Sequence, residues 1–150
     1  MNVNINISVP IYPAESPEKV EKAVLNIFPN MDIEIDNDSI TGHGGFESLK
    51  HFHNLLRSQK ILDTARSRLY NGIYGGWDSE TADTLAITLN KQAAFMGKIG
   101  FIDNFSDSLG EITVEISAAD IDADIYRFID WLAPQTMDGE IVEEIRDDEL

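Results

Sequence analysis

The side chains best suited to bind a charged ligand are concentrated in one stretch. Between Phe46 and Tyr70 stand Lys50, Arg57, Lys60, Arg66 and Arg68, five of the eleven Lys and Arg, against two acids, Glu47 and Asp63. The remainder of the chain carries 6 basic and 25 acidic residues. Guanidinium groups offer planar donor forks and ammonium groups act as point charges, a combination that suits phosphate. If the stretch ran as one straight helix at about 100° per residue, Lys50, His53, Arg57, Lys60 and Arg68 would fall within roughly 80° of one another as a basic stripe. The competing reading is a solvated helix face on which Asp63 pairs Arg66 or Lys60, each at three-residue spacing.

A second polar group, Asn90-Lys91-Gln92, follows a strand end and could meet a phosphate or a base edge; equally, Asn90 and Gln92 could cap backbone groups of a turn. Tyr74 and Trp77, with Tyr70 among glycines, could stack exposed bases, although such aromatics more often anchor a loop to the core. Gly44-Gly45 ahead of a helix, with His43, could cradle an anion. His43, His51 and His53 raise the question of a metal. On a helix, though, His51 and His53 point about 200° apart, and neither Cys nor HExxH supports them, so no metal is expected. Asp120, Asp122 and Asp124 begin like a calcium loop, but Ile125 stands where Gly is required and Trp131 where the bidentate Glu belongs.

The elements that must position these groups follow from periodicity. Val3, Ile5, Ile7 and Val9 alternate with polar residues as a strand with one buried face. Ser16-Pro17-Glu18 opens a helix to about Phe28, with Val20, Ala23, Val24, Ile27 and Phe28 inward. Met31 to Ile35 and Ser39 to Gly42 read as a hairpin, and Gly42 to Gly45 as the link to the long helix. Within that helix the apolar residues of the first half (Phe46, Leu49, Phe52, Leu55, Leu56) and of the second (Ile61, Leu62, Ala65, Leu69) lie on different faces. A kink or two abutting helices are therefore expected near Arg57 to Gln59, with Ser58 capping the second. Thr84 to Leu89, Gly97 to Ile102 and Glu111 to Ile116 read as strands, Asn90 to Met96 as a turn or short helix, and Asp120 to Leu132 as an amphipathic helix stopped by Pro134. The order predicts an α+β fold in two layers, a mostly antiparallel sheet with helices on one face. Residues 1–136 form a single domain in this reading, and 137–150, with seven acids and one Arg, a loosely attached acidic tail.

Composition narrows the function. One domain of 150 residues can build a core without staples. The absence of Cys excludes disulfides, thiolate metal sites and Cys nucleophiles. The amino terminus lacks the pattern of a signal peptide, and no apolar run reaches the ~18 residues of a membrane helix, so a soluble cytoplasmic protein is expected, without membrane contact. A formal charge of −16 opposes general nucleic-acid binding at long range. With a Debye length of about 8 Å, however, a local basic stripe can act despite acids on the far side.

Three runs carry a resemblance: Leu56-Arg57-Ser58-Gln59-Lys60-Ile61-Leu62-Asp63-Thr64-Ala65-Arg66, Leu89-Asn90-Lys91-Gln92-Ala93-Ala94, and Ile129-Asp130-Trp131-Leu132-Ala133-Pro134-Gln135-Thr136. In this order they resemble the archaeal "uncharacterised protein family 0201", and the opening strand, the Pro17-Glu18-Lys19-Val20 helix start and Leu109-Gly110-Glu111-Ile112 extend the likeness over nearly the whole chain. The resemblance implies a fold similar to the large-subunit ribosomal protein that binds 5S rRNA, and a grouping with predicted RNA-binding and exosome-associated proteins. It implies no established activity.

Three functions are thus set against each other. The first is a non-enzymatic protein that binds RNA or a ribonucleoprotein through Lys50, His53, Arg57, Lys60, Arg66, Arg68 and the Asn90-Lys91-Gln92 turn. The second is an interaction module whose acidic surface and tail dock a basic protein partner. The third is a small hydrolase-type enzyme pairing His53 or His43 with Asp63 or Glu47. No cofactor motif accompanies any of them, and a homodimer joined along a sheet edge fits the strand pattern.

Overall fold

The computed structural model describes residues 3–73, 84–102, 111–118 and 125–149. The opening alternation becomes the centre of the sheet. β1 (Val3–Pro10) lies between β3 (Ser39–Gly44) and β5 (Ile112–Ala118), with β2 (Asp32–Ile35) and β4 (Thr84–Leu89) outside them, in the order β2-β3-β1-β5-β4. Every pairing is antiparallel, with Ile5 opposite Gly44 on one side and Ile116 on the other. Val3, Ile5, Ile7 and Val9 are buried while Asn4, Asn6 and Ser8 are exposed, so one face of the sheet is apolar and the other polar.

The helices pack on the apolar face: α1 (Pro17–Ile27), α2 (Lys50–Ser58), α3 (Leu62–Asn71), α4 (Lys91–Phe95) and α5 (Ile125–Leu132). They insert Val20, Ile27, Phe52, Leu56, Leu69, Phe128 and Trp131 into one core with the strand residues. This is the expected α+β fold.

The long helical stretch breaks as its two apolar faces require. Lys60 takes a left-handed conformation at φ 58°. The Lys60 N–H donates to the Arg57 carbonyl at 3.1 Å and the Ile61 N–H to the Leu56 carbonyl at 3.2 Å, the bond pair of a Schellman motif. That position usually holds glycine, because a Cβ there costs about 1–2 kcal/mol. The Ser58 cap is corrected: Ser58 ends α2, its hydroxyl donating to the Leu55 carbonyl, and Ile61 precedes α3 with no side-chain acceptor to offer.

Other expectations change too. Gly42 to Gly44 belong to β3, and a 3-10 turn at Phe46–Leu49 separates them from α2, so the anion cradle before a helix is not formed. Residues 97–102 do not form a strand; a single bridge pairs Phe101 with Leu89, and the Ile102 N–H meets the Thr88 carbonyl. Asn90 lends its N–H to Gly100, which covers the edge of β4 without a further ladder. The boundary expected at 136/137 falls inside a hairpin, β6 (Thr136–Met137) with β7 (Glu140–Ile141), turned by Asp138 and Gly139, both at positive φ. Instead of hanging loosely, the residues after it fold back onto α2 and α5, with Ile145 packed against the core. Tyr74, Trp77, Leu109, Gly110 and the Asp120 to Asp124 helix start lie outside the described residues.

Gly72 closes the passage from α3 to β4. Its carbonyl accepts from the Ala86 N–H at 2.9 Å, and a Cβ at this position would overlap the Ala86 carbonyl oxygen. Gly72→Ala is therefore expected to destabilise the fold by about 1–3 kcal/mol, read as a lower urea midpoint at unchanged m-value.

Candidate nucleic-acid interface

Arg57 and Arg66 converge on the C-terminal end of α5. Arg57 Nη1 donates to the carbonyl of His53 at 3.1 Å and of Leu132 at 3.3 Å, while Nη2 reaches the Trp131 carbonyl at 3.3 Å and Glu144 Oε1 at 2.5 Å. Arg66 Nη1 donates to Asp130 Oδ1 at 2.7 Å and the Ala133 carbonyl at 3.1 Å, and Nη2 to the Tyr70 hydroxyl at 3.3 Å. The last carbonyls of a helix lack internal partners and carry partial negative charge, so two guanidinium forks satisfy both needs at once. Tyr70 packs beneath Arg66 and against Tyr126. Arg68, half-buried on α3, is also engaged. Because the Lys60 turn reorients α3, the straight stripe does not form. Asp63 pairs with the Thr136 hydroxyl rather than with Arg66 or Lys60.

The Asn90-Lys91-Gln92 group divides in the same way. Asn90 Oδ1 caps α4 by accepting from the Ala93 N–H at 2.8 Å. Lys91 is 8% exposed, and its Nζ meets the Pro10 carbonyl at 2.9 Å and both carboxylate oxygens of Glu15 at 2.9 and 3.1 Å. Burial pushes the Glu15 carboxyl up, but the Tyr12 N–H and Lys91 outweigh it and hold the group below its ordinary range. Gln92 alone of the three is exposed, on the wall of a groove of about 480 Å³ between α1 and α4, with Lys19, Phe95 and Met96.

His53 stacks on Trp131 at 4.4 Å between ring centroids, and its Nε2 is buried without a hydrogen-bond partner. Burial, with the nearby Arg57 charge, lowers its pKa from the ordinary 6.5. No hydrogen bond joins His43 or His53 to Asp63 or Glu47: His43 Nδ1 faces Asn6 Oδ1 at 2.6 Å, Asp63 meets Thr136, and Glu47 pairs with Lys50 at 3.2 Å. The acid–base pairs of the hydrolase reading are thus not assembled. Among the described residues no three His, Asp or Glu gather as a metal site.

All eleven Lys and Arg lie among the described residues, and most are paired. Four of the six lysines, Lys19, Lys22, Lys60 and Lys98, form no ion pair among the described residues, in a chain with 27 acids. Two clamps bring three of them around one turn. Gln59 Nε2 donates to the Ile99 carbonyl at 3.1 Å and Gln59 Oε1 accepts from the Ile99 N–H at 2.7 Å, which joins the chain neighbours of Lys60 and Lys98. Asn26 Nδ2 donates to the Ala94 and Phe95 carbonyls at 3.1 and 3.0 Å, and Lys22, one turn back on α1, lies over the Phe95 ring at 5.1 Å. Lys19 continues the line along α1. On its other side Lys60 lines a groove of about 700 Å³ with Arg57, Thr64, Thr136 and Ile141. Periodicity alone did not single out Lys19, Lys22 or Lys98, because two long-range amide clamps assemble this rim.

Arg66→Met should destabilise the protein by about 1.5–3 kcal/mol in urea unfolding, the worth of charge-assisted bonds to otherwise unpaired carbonyls. His53 is held neutral in the folded state, so its stabilising contribution is complete above its unfolded pKa of 6.5 and is lost as pH falls through the lower folded value. Unfolding free energy should fall on acidification below pH 6.5, and His53→Gln should flatten that part of the profile.

A family model described as RNA binding matches residues 4–118. The chain is 42% identical over 144 residues to a UPF0200/UPF0201 protein of Archaeoglobus fulgidus, with 96% of this chain aligned to 41% of that protein. It is 35% identical over 143 residues to a UPF0201 protein of Methanothermobacter thermautotrophicus, covering 95% of this chain and 98% of the relative. A solved UPF0201 protein from Methanococcus jannaschii superposes with a TM-score of 0.76 at 36% identity, over 93% of this chain and 99% of the other. The longer A. fulgidus protein thus extends well beyond the part matched here, whereas the other two match nearly end to end. Together with the five-stranded antiparallel sheet under its helices, these matches make the chain a member of the UPF0201 family.

Proposed function

We propose that this protein binds RNA through the rim formed by Lys19, Lys22, Lys60 and Lys98, with Gln92 beside it and Lys50 farther along α2. The observation that carries this reading is the set of four lysines that form no ion pair among the described residues of a chain of charge −16, all inside the 4–118 span matched by the RNA-binding family model. Lysines left without carboxylate partners are free to meet phosphate oxygens, the contact that dominates nucleic-acid affinity. Screening over about 8 Å lets a local group of cations act despite the net negative charge of the chain. Arg57, Arg66 and Lys91 are engaged with carbonyls and carboxylates of the fold, so the four lysines carry the proposed contact.

Lys60 adds a second argument. A lysine in the left-handed position of a Schellman turn bears a conformational cost that glycine would avoid, a pattern typical of residues retained for what their side chain does.

The test is filter binding of total cellular RNA across a salt series. Lys22→Gln, Lys60→Gln and Lys98→Gln together should reduce the slope of log affinity against log salt by about 2–3, with the urea midpoint unchanged. Lys60→Gly should weaken binding while leaving stability unchanged or raised by up to about 1 kcal/mol. Absence of salt-dependent binding in the unaltered protein would overturn the proposal.

A further inference from the structure

The acidic segment after the β6–β7 hairpin lies on the cationic face of α2 and α5. Glu144 Oε1 accepts from Arg57 Nη2 at 2.5 Å, Asp147 Oδ2 pairs with Lys50 Nζ at 3.6 Å, and the Glu149 carbonyl accepts from Arg127 Nη2 at 2.8 Å. Asp147 Oδ1 also accepts the Trp131 indole N–H at 2.8 Å, at the edge of the Trp131–His53 stack. Residues 143–149 therefore present carboxylates and a carbonyl to three cations and one aromatic donor, the same groups that a nucleic-acid strand would engage with phosphates and a base.

The attachment is built to yield. Of residues 143–149 only Ile145 is even partly buried; the rest are exposed. The Lys50–Asp147 pair is solvent-accessible on both sides, at 42% and 50% side-chain exposure, and such pairs are weak and screened by salt. The covered face is also continuous with the lysine rim, because Arg57 and Lys60 line the same groove.

We propose that residues 143–149 are an intramolecular competitor for RNA: they occupy Lys50, Arg57 and Arg127 in the free protein and are displaced when a strand extends from the rim onto this face. This rests on the RNA-binding reading and adds its regulation. Occupation by the chain's own carboxylates holds affinity down, and a polyanion that reaches past Lys60 exchanges phosphates for them.

The experiment compares total cellular RNA binding by the full chain, by a chain ending at Val142, and by the full-length Glu144→Gln, Asp147→Asn variant, which keeps the segment but removes its two paired charges. Both altered proteins should bind at least ~5-fold more tightly, the lower end of ordinary coupling between sites. Adding Lys50→Gln and Arg127→Gln should abolish the gain. RNA binding by the full chain that is unchanged or weakened in both altered proteins would overturn the competitor and leave the rim intact. Absence of binding by all three at every salt concentration would overturn both.

Discussion

The structure depends on two arginines closing one helix end. α5 carries Phe128, Trp131 and Leu132 into the core, yet its final carbonyls emerge where α2 and α3 pass, beyond the reach of its own backbone donors. Arg57 and Arg66 supply those donors from either side of the Lys60 turn, so one set of bonds joins three helices. The geometry needs planar, multiply donating cations held at a fixed angle, which lysine could not reproduce. Removing either fork would leave partly buried carbonyls unpaired at the end of a helix, where negative partial charge is already concentrated.

This constraint sorts the cations. Those that the core recruits (Arg57, Arg66 and Lys91) are mostly shielded and meet carbonyls as well as carboxylates. Lys19, Lys22, Lys60 and Lys98 remain on an open rim, held in place by the amide clamps of Gln59 and Asn26 rather than by ion pairs. Amide clamps suit that role, because they fix the backbone without neutralising the lysines beside them. The acidic carboxy-terminal residues complete the electrostatic picture by lying across the α2 and α5 cations.

Local sequence made most of the fold legible. The polar–apolar alternation from Val3 to Val9 identifies a one-sided strand, and its place at the sheet centre agrees with four fully shielded inward residues. The mismatched apolar faces of Phe46 to Leu69 anticipate the break that Lys60 makes, although the missing glycine hid the kind of turn. The Asp138-Gly139 pair was a readable hairpin signal, obscured by strands of two residues each. The uses of the basic residues were not legible, since Arg57 meets Glu144 across 87 positions and Arg66 meets Asp130 across 64. A helical wheel counts charges on a face but cannot say which of them a distant helix end will claim. Residues 97–102 show the same limit: their apolar alternation suits a strand, while the Gly97 turn and the bonds to Asn90 and Thr88 leave only a bridge.

The most direct test of this division is lysine acylation footprinting by mass spectrometry, with and without RNA at low salt. In the free protein Lys19, Lys22, Lys60 and Lys98 should react readily and Lys91 scarcely at all; with RNA present the four should be protected together while Lys91 stays unchanged. Equal reactivity of the rim lysines with and without bound RNA would contradict the account.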